Sequence, residues 1–177
     1  MDFTQHYHSP LGAITLASDG SALTGLWFDG QKYDAQGLSE MHEERAVPVL
    51  EETKDWLNCY FGGGVPDYTP KLSMRTTAFR KAVWEILLKI PYGETMTYGE
   101  IARILAKKTG VSQMSAQAVG GAVGHNVISL IIPCHRVIGS DGSLTGYAGG
   151  IERKRKLLML ENGNRPDLFL SDSRLRK

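Results

Sequence analysis

Apolar and polar residues recur with two different periods along this chain, and the change of period falls near residue 70. Before it, short strand-forming runs are divided by turn signals. Phe3 to His8, Leu11 to Ala17 and Leu23 to Phe28 are predicted strands. Ser9-Pro10 and Asp19-Gly20 join them, and connections this short make neighbouring strands antiparallel. Val47, Leu50, Trp56, Leu57, Tyr60 and Phe61 lie at largely helical spacing, which predicts a helix packed on that sheet. The glycines and proline of 62–66 end it and open a linker. Residues 1–70 are therefore expected to form a small α/β domain.

Beyond the linker the helical period dominates. Phe79, Val83, Ile86, Leu87 and Ile90 share one face, with Thr76 or Thr77 as N-cap and Pro91-Tyr92-Gly93 as the stop. Thr97 and Glu100 form a capping box that opens a helix through Leu105. Lys107 to Gly110 is a predicted turn, and Ser115 caps a second short helix over Ala116 to Val123. Two short helices in sequence suggest a helix-turn-helix, with a connection long for that motif. The second helix is nearly bare: Ala116, Ala118, Gly120, Gly121 and Ala122 carry little side chain. Glycine weakens a helix, so the bareness has a cause. Either it allows close helix packing, or it lets the helix approach a ligand surface such as a DNA minor groove. The second domain is placed at 71–165, with a basic tail at 166–177.

Composition sharpens this division. With 177 residues and 42% apolar content, the chain suits one large or two small domains. The net charge of +1 conceals a segregation. Residues 1–70 carry 3 Lys+Arg against 11 Asp+Glu, a balance of −8; residues 71–177 carry 17 against 8, a balance of +9. An acidic support domain and a basic domain facing a polyanion would produce that split, as would unrelated surface charges. The two cysteines, Cys59 and Cys134, make a disulfide framework improbable on count alone. Without a basic-then-apolar leader or a membrane-length apolar run, a reducing cytoplasm is the expected compartment. His6, His8, His42 and Cys59 match no compact zinc spacing, so no metal and no cofactor are expected; Cys59 reads as a buried packing thiol.

The strongest chemical signal is Pro133-Cys134-His135-Arg136, which follows the apolar run 127–132, read as a buried strand-like segment. Proline fixes the backbone before the thiol. An adjacent imidazole is suited to drawing the proton from sulfur, whose thiolate is the nucleophilic form.

With its flanks, this stretch resembles the active-site signature of the O6-alkylguanine-DNA alkyltransferases, the methylated-DNA–protein-cysteine methyltransferases. The resemblance covers most of 77–163: Ile90 to Gly93, Thr97 to Glu100, Ala118 to Ala122, Asn126, Ile132 to Gly139, Gly146 to Gly150 and Leu157 to Glu161. It implies an α+β fold, with a ribonuclease-H-like N-terminal α/β domain and a mostly helical C-terminal domain bearing a winged-helix-like helix-turn-helix. It implies a monomer that binds double-stranded DNA, flips out an alkylated guanine and takes the alkyl group irreversibly onto Cys134. It leaves O4-alkylthymine open as a further substrate.

The resemblance also distributes roles. His135 acts on the thiol through a water, Glu161 orients His135, and Asn126 braces the turn. Tyr147, Val137 and Gly149 meet the base. Tyr98 helps rotate the nucleotide out of the stack. Tyr98, Gln117, Ala116, Gly120, Arg136 and Arg103 are the expected DNA contacts, with Arg75, Arg80, Lys81, Lys107 and Lys108 as further candidates for phosphates. Arg153 to Lys156 reads as a solvated helix face. The chain departs from the family pattern at Gln117, where an arginine is common, and in about five extra residues around Lys107 to Met114. A cysteine hydrolase and a DNA-binding regulator without chemistry are the competing readings of the same residue types.

Overall fold

The computed structural model describes residues 1–163, so the predicted basic tail lies outside the described residues. The chain forms two compact units. One is Met1–Arg75 together with Val127–Ile131; the other comprises Thr76–Asn126 and the chain from Ile132 onward.

The first unit is a four-stranded sheet with one helix. Its strands are β1 (Asp2–Ser9), β2 (Gly12–Ser18), β3 (Leu23–Phe28) and β4 (His42–Glu44), in the order β3-β2-β1-β4. The two short connections give antiparallel pairs, as their length requires. Strand β4 pairs parallel to β1. Its sequence, His-Glu-Glu, has no apolar alternation, so no pattern announced it. Helix α1 (Pro48–Phe61) buries Leu50, Trp56, Leu57 and Tyr60, and the Trp56 and Tyr60 rings stack at 5.3 Å. Cys59, expected to be buried, is exposed on this helix. Arg75, a candidate for phosphate contact, is exposed, and its guanidinium also grips the buried Asp2 carboxylate through two hydrogen bonds of 2.8 Å. The apolar run before the active-site motif is buried, yet it is not a strand. Leu26 donates to the Val127 carbonyl and accepts from Ser129, forming one isolated bridge before Leu130 turns with a positive φ of 71°.

The second unit is mostly helical: α2 (Ala78–Leu87), α3 (Tyr98–Thr109), α4 (Ala116–Gly124) and α5 (Ile151–Glu161), with a two-stranded parallel pair of β5 (Met96–Thr97) and β6 (Val137–Ile138). Three caps fall where the sequence placed them. Thr77, Thr97 and Ser115 accept from the amides of Arg80, Glu100 and Ala118. Helix α3 runs four residues past Leu105, so Lys107 and Lys108 belong to its last turn, where cations suit the helix dipole. Gly110 ends it in the left-handed conformation, φ 79°.

Helix α4 settles why it is bare. Trp84 of α2 donates to the Ala122 carbonyl at 2.8 Å, and Val119, Ala122 and Val123 form the buried face. Ala116, Gln117, Ala118 and Gly121 are exposed, and nothing lies within 4 Å of a side chain built at Gly121. Packing therefore accounts for Ala122, and in part for half-buried Gly120, whose Cβ position lies 3.8 Å from the Tyr98 ring. Ala116, Ala118 and Gly121 thin a face that is open to solvent.

Candidate active site and DNA-binding face

The thiol sits on a 3₁₀ turn, Cys134–Arg136, that begins straight after Pro133. Cys134 is 5% exposed. The Cys134 amide donates to the Ile132 carbonyl at 2.8 Å, and Asn126 Nδ2 donates to the same carbonyl at 2.8 Å. Asn126 thus braces the turn. Burial pushes the Cys134 thiol up, while the Asn126 side-chain hydrogen bond and the charge of Lys154 pull it back.

Behind the thiol, His135 Nε2 lies 2.5 Å from Glu161 Oε2. An ionised carboxylate only accepts, so Nε2 carries the proton and Nδ1 is the basic nitrogen of the neutral ring. Glu161 also accepts from Arg136 Nε at 2.7 Å, Arg136 Nη2 at 3.2 Å and the Gly93 amide at 3.1 Å. Burial would raise the Glu161 carboxyl, but His135 and Arg136 together hold it well below the ordinary range. Burial also lowers His135, against the pull of Glu161. A neutral imidazole would not by itself keep the carboxylate charged; the permanent cation Arg136 does.

Arg136, expected among the DNA contacts, is therefore a partner of Glu161. It is 8% exposed, donates to the Ile90 carbonyl at 2.7 Å, and lies over the Tyr92 ring. Val137 is also buried, and its N–H donates to the Cys134 carbonyl, so that amide is not available to read a base edge. Tyr147 is buried in the glycine-rich loop. An atom at the Cβ position of Gly149 would lie 2.6 Å from its ring, so glycine there is required for the ring to occupy that place.

Tyr98, Ala116, Gln117 and Gly120 converge on one open cleft of about 510 Å³. The cleft also takes in Gly99 and Gly146, which lie in the blocks that carry the family resemblance, and Ser140 and Thr145, which sequence reasoning did not single out. Tyr98 donates to the Thr145 carbonyl at 3.0 Å. Arg103 is exposed one turn beyond Gly99, its guanidinium 3.7 Å from where a Gly99 Cβ would stand. Lys154, placed by sequence on a solvated face, is fully buried. Its Nζ donates to the Thr145 carbonyl at 2.8 Å. The helical period gave no warning, because its neighbours Arg153, Arg155 and Lys156 are charged as well.

Fold and site together define a two-unit α+β protein that seats a thiol nucleophile on a His–Glu–Arg array beside a helix-turn-helix. Residues 78–163 match the DNA-binding domain of 6-O-methylguanine DNA methyltransferase, and residues 3–72 match its ribonuclease-like domain. The chain is 46% identical over 171 residues to the methylated-DNA–protein-cysteine methyltransferase of Mycobacterium bovis, spanning 94% of this chain and 99% of that one. The Haemophilus influenzae protein of the same name is 41% identical over 157 residues, 88% of this chain and 84% of that one. Among solved structures, Mycobacterium tuberculosis O6-methylguanine methyltransferase superposes with a TM-score of 0.79 at 44% identity, covering 97% of this chain and all of that one. The Mycobacterium tuberculosis OGT solved in complex with DNA gives 0.78 at 45%, covering 96% and 99%. The chain belongs to the 6-O-methylguanine DNA methyltransferase family. Among the described residues, no helix is long and apolar enough to cross a membrane.

Proposed function

We propose that this protein repairs O6-alkylguanine in double-stranded DNA by moving the alkyl group onto Cys134, once per molecule, as a cytoplasmic monomer. The observation that carries this reading is the array Cys134, His135 and Glu161, all buried, in the same unit as an open cleft lined by Tyr98 and by Ala116, Gln117 and Gly120 of α4. A hydrolase reading has less support, since an exposed bare helix has no use in it.

The reaction is a displacement at carbon. The Cys134 proton passes to His135 Nδ1 through a water; Glu161 steadies the imidazolium, and Arg136 keeps Glu161 ionised. The sulfur forms the S–C bond as the C–O6 bond breaks. The leaving guanine is reprotonated, so the proton lost by the thiol ends on the base, with Tyr147 as a neutral donor to it. The product is a thioether and a normal guanine, and no step restores the thiol. Tyr98 and the bare helix bring the nucleotide out of the duplex, and Gln117 fills the gap without the charge or stacking of an arginine.

The test is a duplex containing one O6-methylguanine, followed by intact mass and peptide mapping. One methyl on Cys134, absent in Cys134→Ser, is the expected result. An unmodified protein, or repair in excess of protein, overturns the proposal. A Gln117→Ala variant is expected to lose more activity on duplex than on the free base; equal losses would remove its role in flipping.

A further inference from the structure

The open cleft that takes in Tyr98 and Gln117 carries no formal charge on any residue that lines it. Its polar side chains are the Gln117 amide and the hydroxyls of Tyr98, Ser140 and Thr145, and the Tyr98 hydroxyl already donates to the Thr145 carbonyl. Other cations of the same unit are committed: Arg136 to Glu161, Arg153 to the Gly149 carbonyl and Lys154 to the Thr145 carbonyl. A DNA strand brings a negative charge at every phosphate, and only a cation placed against one releases its counterion. Arg103 is the cation placed to do so. It is exposed, and its side chain forms no hydrogen bond or ion pair among the described residues, although Glu100 stands one turn before it on α3. Side chains on a helix lean toward its N-terminus, so Arg103 reaches back over the turn that holds Gly99. Its Nη1 lies 3.7 Å from the position a Gly99 Cβ would take. Gly99 lines the cleft, and as a glycine it sets no side chain between that guanidinium and the opening.

We propose that Arg103 is the phosphate-binding residue of this cleft: its guanidinium, laid over Gly99, takes one backbone phosphate of the strand that carries the target nucleotide. This rests on the reading of the cleft as the place where duplex DNA is held. A guanidinium offers two parallel N–H groups to two phosphate oxygens, so it orients the linkage as well as attracting it. The neutral groups of the cleft are then left to the sugar and the base, while Arg103 fixes the register of the strand against them. Its contact is local. A cation on the outer surface of the protein feels the duplex as a line of charge, whereas a guanidinium held at Gly99 meets a single linkage beside the residues that receive the nucleotide.

The experiment uses the full chain with Cys134→Ser as parent, so that no transfer occurs while binding is measured. The probe is a labelled duplex with one O6-methylguanine, together with a set in which a single linkage near the lesion is a methylphosphonate, which removes one charge. Adding Arg103→Gln is expected to weaken binding to the all-phosphate duplex roughly tenfold and to lower the salt slope by about 0.9. At one linkage the methylphosphonate is expected to weaken the parent by a similar factor and to leave Arg103→Gln unchanged, because the contact it removes is already gone. Arg103→Lys, which keeps the charge without the fork, is expected to keep the slope and to recover part of the affinity. Arg103→Gln binding as tightly as the parent overturns the proposal. So does a set in which every methylphosphonate weakens parent and Arg103→Gln by the same factor. Methyl transfer is followed separately in the protein that keeps Cys134. Transfer without the coupled linkage overturns the role of Arg103 alone, and a coupled linkage without transfer overturns the reading of Cys134 and supports the phosphate contact.

Discussion

Glu161 holds a ring nitrogen, a guanidinium and a backbone amide at once, and a glutamine in its place offers only one accepting oxygen and no charge. Glu161→Gln leaves Arg136 buried against a neutral group, a loss of about 3–5 kcal/mol. It also removes the support of the imidazolium, and single-turnover methyl transfer is expected to slow by roughly 100- to 10,000-fold. The pH dependence distinguishes the two effects. The folded carboxyl is held below its unfolded value, so its stabilisation is present above the unfolded pKa and is lost as pH falls toward the folded one. The gap in melting temperature between wild type and Glu161→Gln should therefore shrink as pH drops from about 5. Lys154 has the opposite sign. Its folded pKa, about 8, lies below the ordinary 10.5, so the unfolded chain holds the extra proton between them. Wild type should gain on Lys154→Met in melting temperature as pH rises through that window. A flat difference would mean that the fold leaves the Lys154 pKa at its unfolded value.

The bare helix α4 has an element-scale consequence. Gly121 lies on its exposed side with open space around it, and helical glycine costs about 1 kcal/mol relative to a good helix former. Gly121→Leu is expected to raise the melting temperature while weakening duplex binding, since it thickens the face held open. Stabilisation with unchanged binding, in a melting and titration pair, would show that this face is idle. Why the face is thin was not legible in the sequence, because alanine and glycine serve packing and ligand approach alike; the exposure of Ala116, Ala118 and Gly121 shows only that packing within the chain does not account for them. Elements with a local cause were legible. Thr77, Thr97 and Ser115 cap their helices through hydrogen bonds within three residues. Elements with a distant cause were not. Strand β4 exists because β1 offers it an edge, and the run 127–132 pairs with Leu26 in one isolated bridge before Leu130 turns with a positive φ. The same holds in the site. Cys134 and His135 announce themselves by adjacency, whereas Arg136 and Lys154 look like surface cations until Glu161 and Thr145 are brought to them across the fold.

Across the whole molecule, the segregation of charge overstates how much positive surface faces a polyanion. Arg75 is tied to Asp2, Arg136 to Glu161, and Lys154 is buried, so three of the cations behind the +9 balance already have partners within the fold, although the Arg75 side chain stays exposed. Lys107 and Lys108 are different. Both are exposed, they end the helix that begins with Tyr98, and they open the long connection to α4. A phosphate contact releases a condensed counterion, and each one lost reduces the slope of log affinity against log salt by about 0.9. If both lysines reach the backbone of the duplex, changing both to glutamine should lower the slope by close to 2, roughly the sum of two contacts. Binding should weaken equally on alkylated and unmodified duplex, because phosphates carry no lesion information. Methyl transfer at saturating DNA should not change, as neither lysine lies near Cys134 in the hydrogen-bond network of the site. Titrations at several salt concentrations check all three outcomes together. An unchanged slope would place the extra residues of this connection off the DNA, and the cleft around Tyr98 and Gln117 would then have to supply the affinity by itself.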